Sequence, residues 1–132
     1  MIFRYKNVQG VLRPIIPIKI QYRNRSVIYE VLVDSGADIC MFDGEVGDAL
    51  GIAFFDGRSG EVVGVTGVVK PYYIHPVTIS IGDQTFDIEA GFLSNVSRFG
   101  YGVVGQRGFF DHFIVSFDFL KEEITVLERA TL

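Results

Sequence analysis

An all-β domain with two short helices is the fold the sequence predicts, on three observations. Val, Ile, Phe and Tyr abound, with 12 Phe and 6 Tyr, and β-branched and aromatic side chains suit the pleated, half-buried surface of a strand. Fifteen glycines supply tight turns and close backbone approaches. Several segments alternate apolar and polar residues between turn signals, the period of two that a strand imposes. A hydrophobic fraction of 48% and a mean hydropathy of +0.32 exclude a disordered chain. The length fits one domain over residues 1–132, large enough for a core without staples.

The elements follow in order. Arg13-Pro14-Ile15-Ile16-Pro17-Ile18-Lys19-Ile20 reads as a strand with its prolines near the start or on an edge. Tyr22-Arg23-Asn24-Arg25 turns it into a second strand, Val27 to Val33, whose apolar end suits cover on both faces. Asp43 to Gly51 is the first helix, with Asp43 as cap and Gly51 as terminator. Glu61 to Val69, with glycines between β-branched flanks, reads as a mobile hairpin. His75 to Ile81 alternates as a strand, and Gly82-Asp83 turns it into Gln84 to Ala90. Gly102-Val103-Val104-Gly105 is a brief buried strand, and Gln106 to His112 is the second helix, weakened by Gly108. Phe113 to Phe119 and Glu123 to Leu127 form a last hairpin through Leu120-Lys121-Glu122. The halves echo each other: a hairpin, an apolar strand ending in glycine, then a short helix. Only the first copy carries a carboxylate, Asp34.

Charge and composition narrow the function. A net charge of −4 and a pI near 5.1 argue against a nucleic-acid partner, whose phosphates call for a basic surface. The basic residues Arg4, Lys6, Arg13, Lys19, Arg23 and Arg25 read as solvated strand faces and a turn. The single cysteine, Cys40, sits in an apolar stretch as a small core residue and excludes an internal disulfide. The start of the chain lacks the apolar core of a signal peptide, and no run is long enough to span a bilayer. A soluble cytoplasmic protein without a membrane partner is expected, and Asn24-Arg25-Ser26 and Asn95-Val96-Ser97 are chance sequons. His75 and His112 show no ligand spacing, so no metal and no cofactor is expected.

Asp34-Ser35-Gly36-Ala37-Asp38 is the sharpest feature. A carboxylate at the end of a buried strand is costly unless paired or hydrogen-bonded. Ser35 supplies a hydroxyl that can lock a loop, and Gly36 lets the backbone turn sharply and approach a ligand. The bland alternative is an Asx turn closing the strand. The triplet alone arises by chance in about one chain of this length in twenty, so the weight falls on the apolar strand before it and the glycine-rich hairpin after it.

With those segments in their order, the chain resembles the retropepsins, the single-domain aspartic peptidases that include the retroviral proteases. Arg13 to Ile20 is similar to their early strand, Val31 to Asp38 to their catalytic motif, Val62 to Val69 to their flap, and Val103-Val104-Gly105 to the element behind the catalytic loop. The resemblance covers about residues 13–128. It implies a closed β-barrel or sandwich with a flap hairpin, working as a homodimer that hydrolyses peptide bonds. Asp34 would be catalytic, and Ser35 and Gly36 would be the scaffold. Ala37, Asp38, Val63, Gly64, Val65, Thr66, Val103 and Val104 would contact a peptide or protein substrate. Because two carboxylates must share one proton and this chain offers one, the second is expected from a second copy on a two-fold axis.

Two positions depart from the viral pattern. Gln106 stands where those enzymes place an Arg that pairs with the Asp at the Asp38 position, and Thr66 replaces a flap glycine. Arg107, one residue later, is a candidate substitute partner for Asp38. By analogy Met1 to Gly10 and Glu128 to Leu132 are expected to build the dimer sheet. Two rivals keep a β fold and abandon catalysis: an inactive retropepsin-like dimer that binds peptides or serves assembly, and an unrelated small β-barrel binding module with Asp34 as a turn residue.

Overall fold

Twelve strands and one α-helix make up the described residues, 1–64 and 66–129, of the computed structural model. In chain order the strands are β1 (Ile2–Arg4), β2 (Lys6–Val8), β3 (Val11–Arg13), β4 (Ile15–Tyr22), β5 (Arg25–Val33) and β6 (Met41–Asp43). The helix α1 (Gly44–Ala49) and a single 3₁₀ turn at Phe54–Asp56 come next. They are followed by β7 (Arg58–Val63), β8 (Val69–Ile81), β9 (Gln84–Leu93), β10 (Gly102–Val104), β11 (Phe113–Asp118) and β12 (Glu123–Glu128).

The strongest alternation builds the centre. Ile16, Ile18 and Ile20 of β4 are buried while Pro17, Lys19 and Gln21 are exposed, so one face of the strand is core and the other solvent. β4 and β5 pair antiparallel from Ile15↔Leu32 to Tyr22↔Arg25, turning through Arg23 at φ +55. β8 and β9 pair from Tyr73↔Phe92 to Ile81↔Gln84, and Gly82 supplies the left-handed turn conformation at φ +59. The sheet order β4-β5-β10-β6-β9-β8 closes on itself because β4 also pairs with β8, through Lys19↔Ser80, Ile20↔Ile79 and Gln21↔Thr78. That ring is the closed sheet expected from the sequence. β7 lies outside it, pairing with the first half of β8 from Arg58↔Ile74 to Val63↔Val69.

Phe42, Phe92, Phe109 and Phe113 fill the interior with Ile16, Ile18, Ile20, Ile79 and Ile81, each almost fully buried. Each such side chain contributes about 1.5–3 kcal/mol by leaving water, and Phe42 meets Phe92 edge-on at 5.8 Å. The helix forms as expected: Asp43 accepts the Glu45 N–H at 3.0 Å, and Gly51 takes φ +78 just past the C-cap Leu50. The second oxygen of Asp43 accepts the Val96 N–H at 3.3 Å, so the cap also anchors the loop before β10. Asp43→Ala is expected to lower stability by about 1–2 kcal/mol, read as a shift in the denaturant midpoint.

Two expectations change. Gln106 to His112 is a run of turns rather than a helix. Gly108 takes φ +99, and the bonds Phe110 N–H to Gly105 O and Asp111 N–H to Gln106 O span five residues instead of four. Beside Gly108 lie the Cys40 sulfur and Ile88, 3.0 and 3.3 Å from where a side chain would begin. The N-terminal segment, given no secondary structure from the sequence, forms β1 on β12 and the β2–β3 hairpin. Within the Met1 to Gly10 segment expected in a dimer sheet, Ile2–Arg4 pairs with β12 on one side. Of the tail assigned with it, residues 130–132 lie outside the described residues, as does Val65.

Candidate active site

Asp34 follows the last residue of β5, and β5 is locked on both sides there. The Val33 N–H donates to the Pro14 carbonyl at 2.9 Å, and the Asp34 N–H to the Val104 carbonyl at 3.0 Å. The chain then reverses at once: the Ala37 N–H donates to the Asp34 carbonyl at 3.1 Å, and the Gly36 N–H to Asp34 Oδ1 at 2.9 Å. The Asx turn considered from the sequence is therefore present, and it uses one carboxylate oxygen. Asp34 Oδ2 has no partner among the described residues. The carboxylate is half-buried, while Ser35, Gly36 and Asp38 are exposed and Ala37 is half-buried.

The segment after β10 braces this turn from behind. The Gln106 N–H donates to the Ala37 carbonyl at 2.8 Å, the Arg107 N–H to the Asp38 carbonyl at 3.0 Å, and Gln106 Nε2 to the Ser35 carbonyl at 2.6 Å. A Cβ on Gly105 would lie inside van der Waals contact with the Ala37 carbonyl oxygen and 2.8 Å from that of Ile39, so only glycine fits. Gln106, noted from the sequence merely as the absence of an arginine, holds the Ser35 carbonyl. Its one signal was its place directly after Gly105. Arg107 does not replace the missing Arg–Asp pair, since Asp38 forms no ion pair among the described residues; backbone bonds and the Gln106 amide hold the loop instead.

The expected substrate contacts divide. Val63, Gly64 and Thr66 stand exposed at the end of the β7–β8 hairpin, where Gly64 and Val68 close the turn with a 3.0 Å N–H to carbonyl bond. Val103 is half-buried beside Leu32 and Met41. Val104 is a correction: it is 0% exposed and belongs to the core, because consecutive strand residues face opposite sides and only Val103 can face a ligand.

Two ionisable groups near the turn are silenced by burial. Cys40 is fully buried, its thiol is pushed up to about 12 by burial, and its Sγ lies 3.5 Å from the Arg107 carbonyl. A protonated, inaccessible thiol is no nucleophile. Burial also holds the Tyr29 phenol well above its ordinary range, so it remains a donor to the Gly100 carbonyl at 2.8 Å while accepting the Asp43 N–H at 3.3 Å. Among the described residues no three His, Cys, Asp or Glu side chains gather as a metal site, and no helix is long and apolar enough to cross a membrane. The His112 ring stacks on Phe86 at 4.2 Å.

The register defines what one chain can do. β5 and β10 run parallel with Val33 opposite Val104, which sets Gly105 across from Asp34. No carboxylate stands at the equivalent place on the neighbouring strand. Two cavities of about 500 and 580 Å³ lie at Arg58–Arg107–Asp111 and at Lys6–Ile28–Tyr101, and Asp34 lines neither.

The Aspartyl protease family model matches residues 17–107, from β4 through the brace. A retropepsin-like aspartic protease from Rickettsia conorii superposes with a TM-score of 0.67 at 18% identity, over 96% of this chain and 97% of that one. The retroviral protease-like domain of Ddi1 from Leishmania major gives 0.60 at 16%, over 89% and 94%. EIAV protease complexed with the inhibitor HBY-793 gives 0.55 at 21%, over 71% and 82%. No curated protein matches the chain. The chain therefore belongs to the aspartyl protease family and is built on the retropepsin fold.

Proposed function

We propose that this chain is one half of a homodimeric aspartic endopeptidase whose catalytic pair is Asp34 from each of two copies. The observation that carries it is the Asp34 turn itself: a half-buried carboxylate with one oxygen fixed by Gly36 and the other unengaged, with no second acid on the neighbouring strand, where Gly105 stands. Two such carboxylates close together keep one proton between them. The ionised one takes a proton from water as the water oxygen attacks the peptide carbonyl. The protonated one donates to the carbonyl oxygen, giving a tetrahedral adduct. Proton transfer to the nitrogen then breaks the C–N bond and releases an amine and a carboxylic acid.

The remaining assignments belong to the same reading. Ser35 and Gly36 hold the turn. Gly36 presents its backbone, and Ala37 and Asp38 contact the main chain of an extended peptide. Val63, Gly64, Val65 and Thr66 cover that peptide from the hairpin by strand-like bonding, and Val103 supplies an apolar wall. The acidic net charge favours a peptide over a nucleic acid.

Digestion of an unfolded protein or peptide library across a pH series tests this. Cleavage is expected on the acid side, where the pair retains its shared proton, with loss of about 10²–10⁴ in rate in Asp34→Asn. Equal cleavage by the wild type and Asp34→Asn would sink the assignment.

A further inference from the structure

We propose that the cavity at Arg58–Arg107–Asp111 is an outer subsite of the peptide groove, where the guanidinium of Arg107 selects a substrate with a carboxylate side chain about four residues from the scissile bond. This rests on the endopeptidase reading above and names its preferred substrate. Register places the cavity on the same face of the sheet as Asp34. Leu32, two residues before Asp34, stands beside Val103, and Val103 beside Met41. Met41 stands beside Gly91, Gly91 beside Ile74, and Ile74 beside Arg58. Register partners share one face of a sheet, so this row carries the floor next to Asp34 across to the root of the β7–β8 hairpin. The side chains of Met41, Tyr72 and Ile39 converge over Gly91, and the cavity of about 500 Å³ begins there, between Ile39, Tyr72 and Ile74. Arg107 lines it as well, held beside Ile39 by a parallel bridge. From β5 to β9 the sheet order β5-β10-β6-β9 spans three strand spacings of about 4.8 Å, the length of about four extended peptide residues.

The charges lining the cavity are engaged at every place but one. Arg58 donates to Glu89 at 2.7 Å. Asp87 accepts the Thr78 hydroxyl at 2.7 Å. Asp111 Oδ1 accepts the Gly108 N–H at 3.0 Å and lies 3.8 Å from His112 Nε2. Each acid therefore already holds a donor. Arg107 is exposed, and its guanidinium has no ion pair or hydrogen bond among the described residues. Its backbone is nevertheless fixed: the N–H donates to the Asp38 carbonyl at 3.0 Å, and the carbonyl lies 3.5 Å from Cys40 Sγ. A guanidinium offers five donors in a planar fork, which a carboxylate fills with two parallel bonds. A basic side chain entering the cavity would have to displace one of the donors that the acids hold, whereas a carboxylate at Arg107 displaces none. The arginine that stands one residue late in the sequence thus has a use other than bracing Asp38.

Capture of a random peptide library, blocked at both ends, on the Asp34→Asn chain tests the subsite without cleavage. Asp and Glu are expected to be enriched about fivefold over Asn and Gln at one outer position. In the same background Arg107→Gln is expected to abolish that enrichment, Arg107→Lys to keep part of it, and Arg107→Glu to replace it with enrichment of Lys and Arg. Cleavage by the wild type then reads the same preference, with KM for a Glu peptide about fivefold below that for its Gln counterpart. No acidic enrichment, or the same enrichment after Arg107→Gln and Arg107→Glu, overturns the proposal. So does a preference that appears only when the C-terminus is left free, which would assign the carboxylate to the peptide end. A wild type that captures acidic peptides through Arg107 yet cleaves none would instead overturn the endopeptidase reading and leave the subsite standing.

Discussion

Gly105→Ala is expected to cost about 3 kcal/mol or more of stability and to remove peptidase activity. The added methyl would overlap the Ala37 carbonyl oxygen and press on that of Ile39. Neither can yield cheaply, because both are backbone and Ala37 O is already bonded by the Gln106 N–H. Overpacking alone costs about 1–3 kcal/mol, and displacing the Gln106 brace adds about 1 kcal/mol for each lost bond. Against a total stability of about 5–15 kcal/mol, that is a large fraction. The urea midpoint and the cleavage rate check it, and a wild-type midpoint would mean that Gly105 and the Asp34 turn are not packed as described.

Adding Asp34→Asn chain in tenfold excess to the wild type is expected to suppress cleavage by about tenfold per wild-type chain, by mass action once subunits exchange. Asparagine keeps the shape of aspartate and the bond from Gly36 but cannot share a proton, so a mixed dimer holds a single acid. Catalysis then depends on wild-type chains finding each other. Measuring the rate against the mixing ratio, after time for exchange, separates the cases. A rate per wild-type chain that ignores the mutant would mean that one chain carries a whole active site.

Much of this architecture was legible in the residues. The period-two runs over 15–22 and 75–81, the turn residues Gly82-Asp83, and the Asp43 and Gly51 ends of the helix all carry local signals that the fold obeys. What escaped was decided by distant partners. β1, β2 and β3 are too short to show a period and form because β12, more than a hundred residues on, offers an edge to the first of them. Gln106 to His112 reads as a short helix only weakly, and Gly108 turns left-handed with Cys40 and Ile88 close beside it, a demand that packing makes and periodicity does not show. Within the candidate site, the Asp34 turn was found from its setting. The Gln106 brace was invisible because its work is done on backbone carbonyls, and Val104 was misplaced because composition does not tell inward from outward in a three-residue strand.

β9 and β4 grip β8 from both sides at residues 78–80, and β9 and β7 at Tyr73 and Ile74, while residues 69–72 carry β7 alone. Deflection of the hairpin tip is thus the flexing of a beam rooted in masonry rather than the swing of a door. The stiffness is set near the root, where the Tyr72 ring fills the space above Gly60 and the Ile74 carbonyl that above Gly57. Those two glycines are the notches that let the beam lie flat, since a Cβ at either would run into Tyr72 or the Ile74 carbonyl.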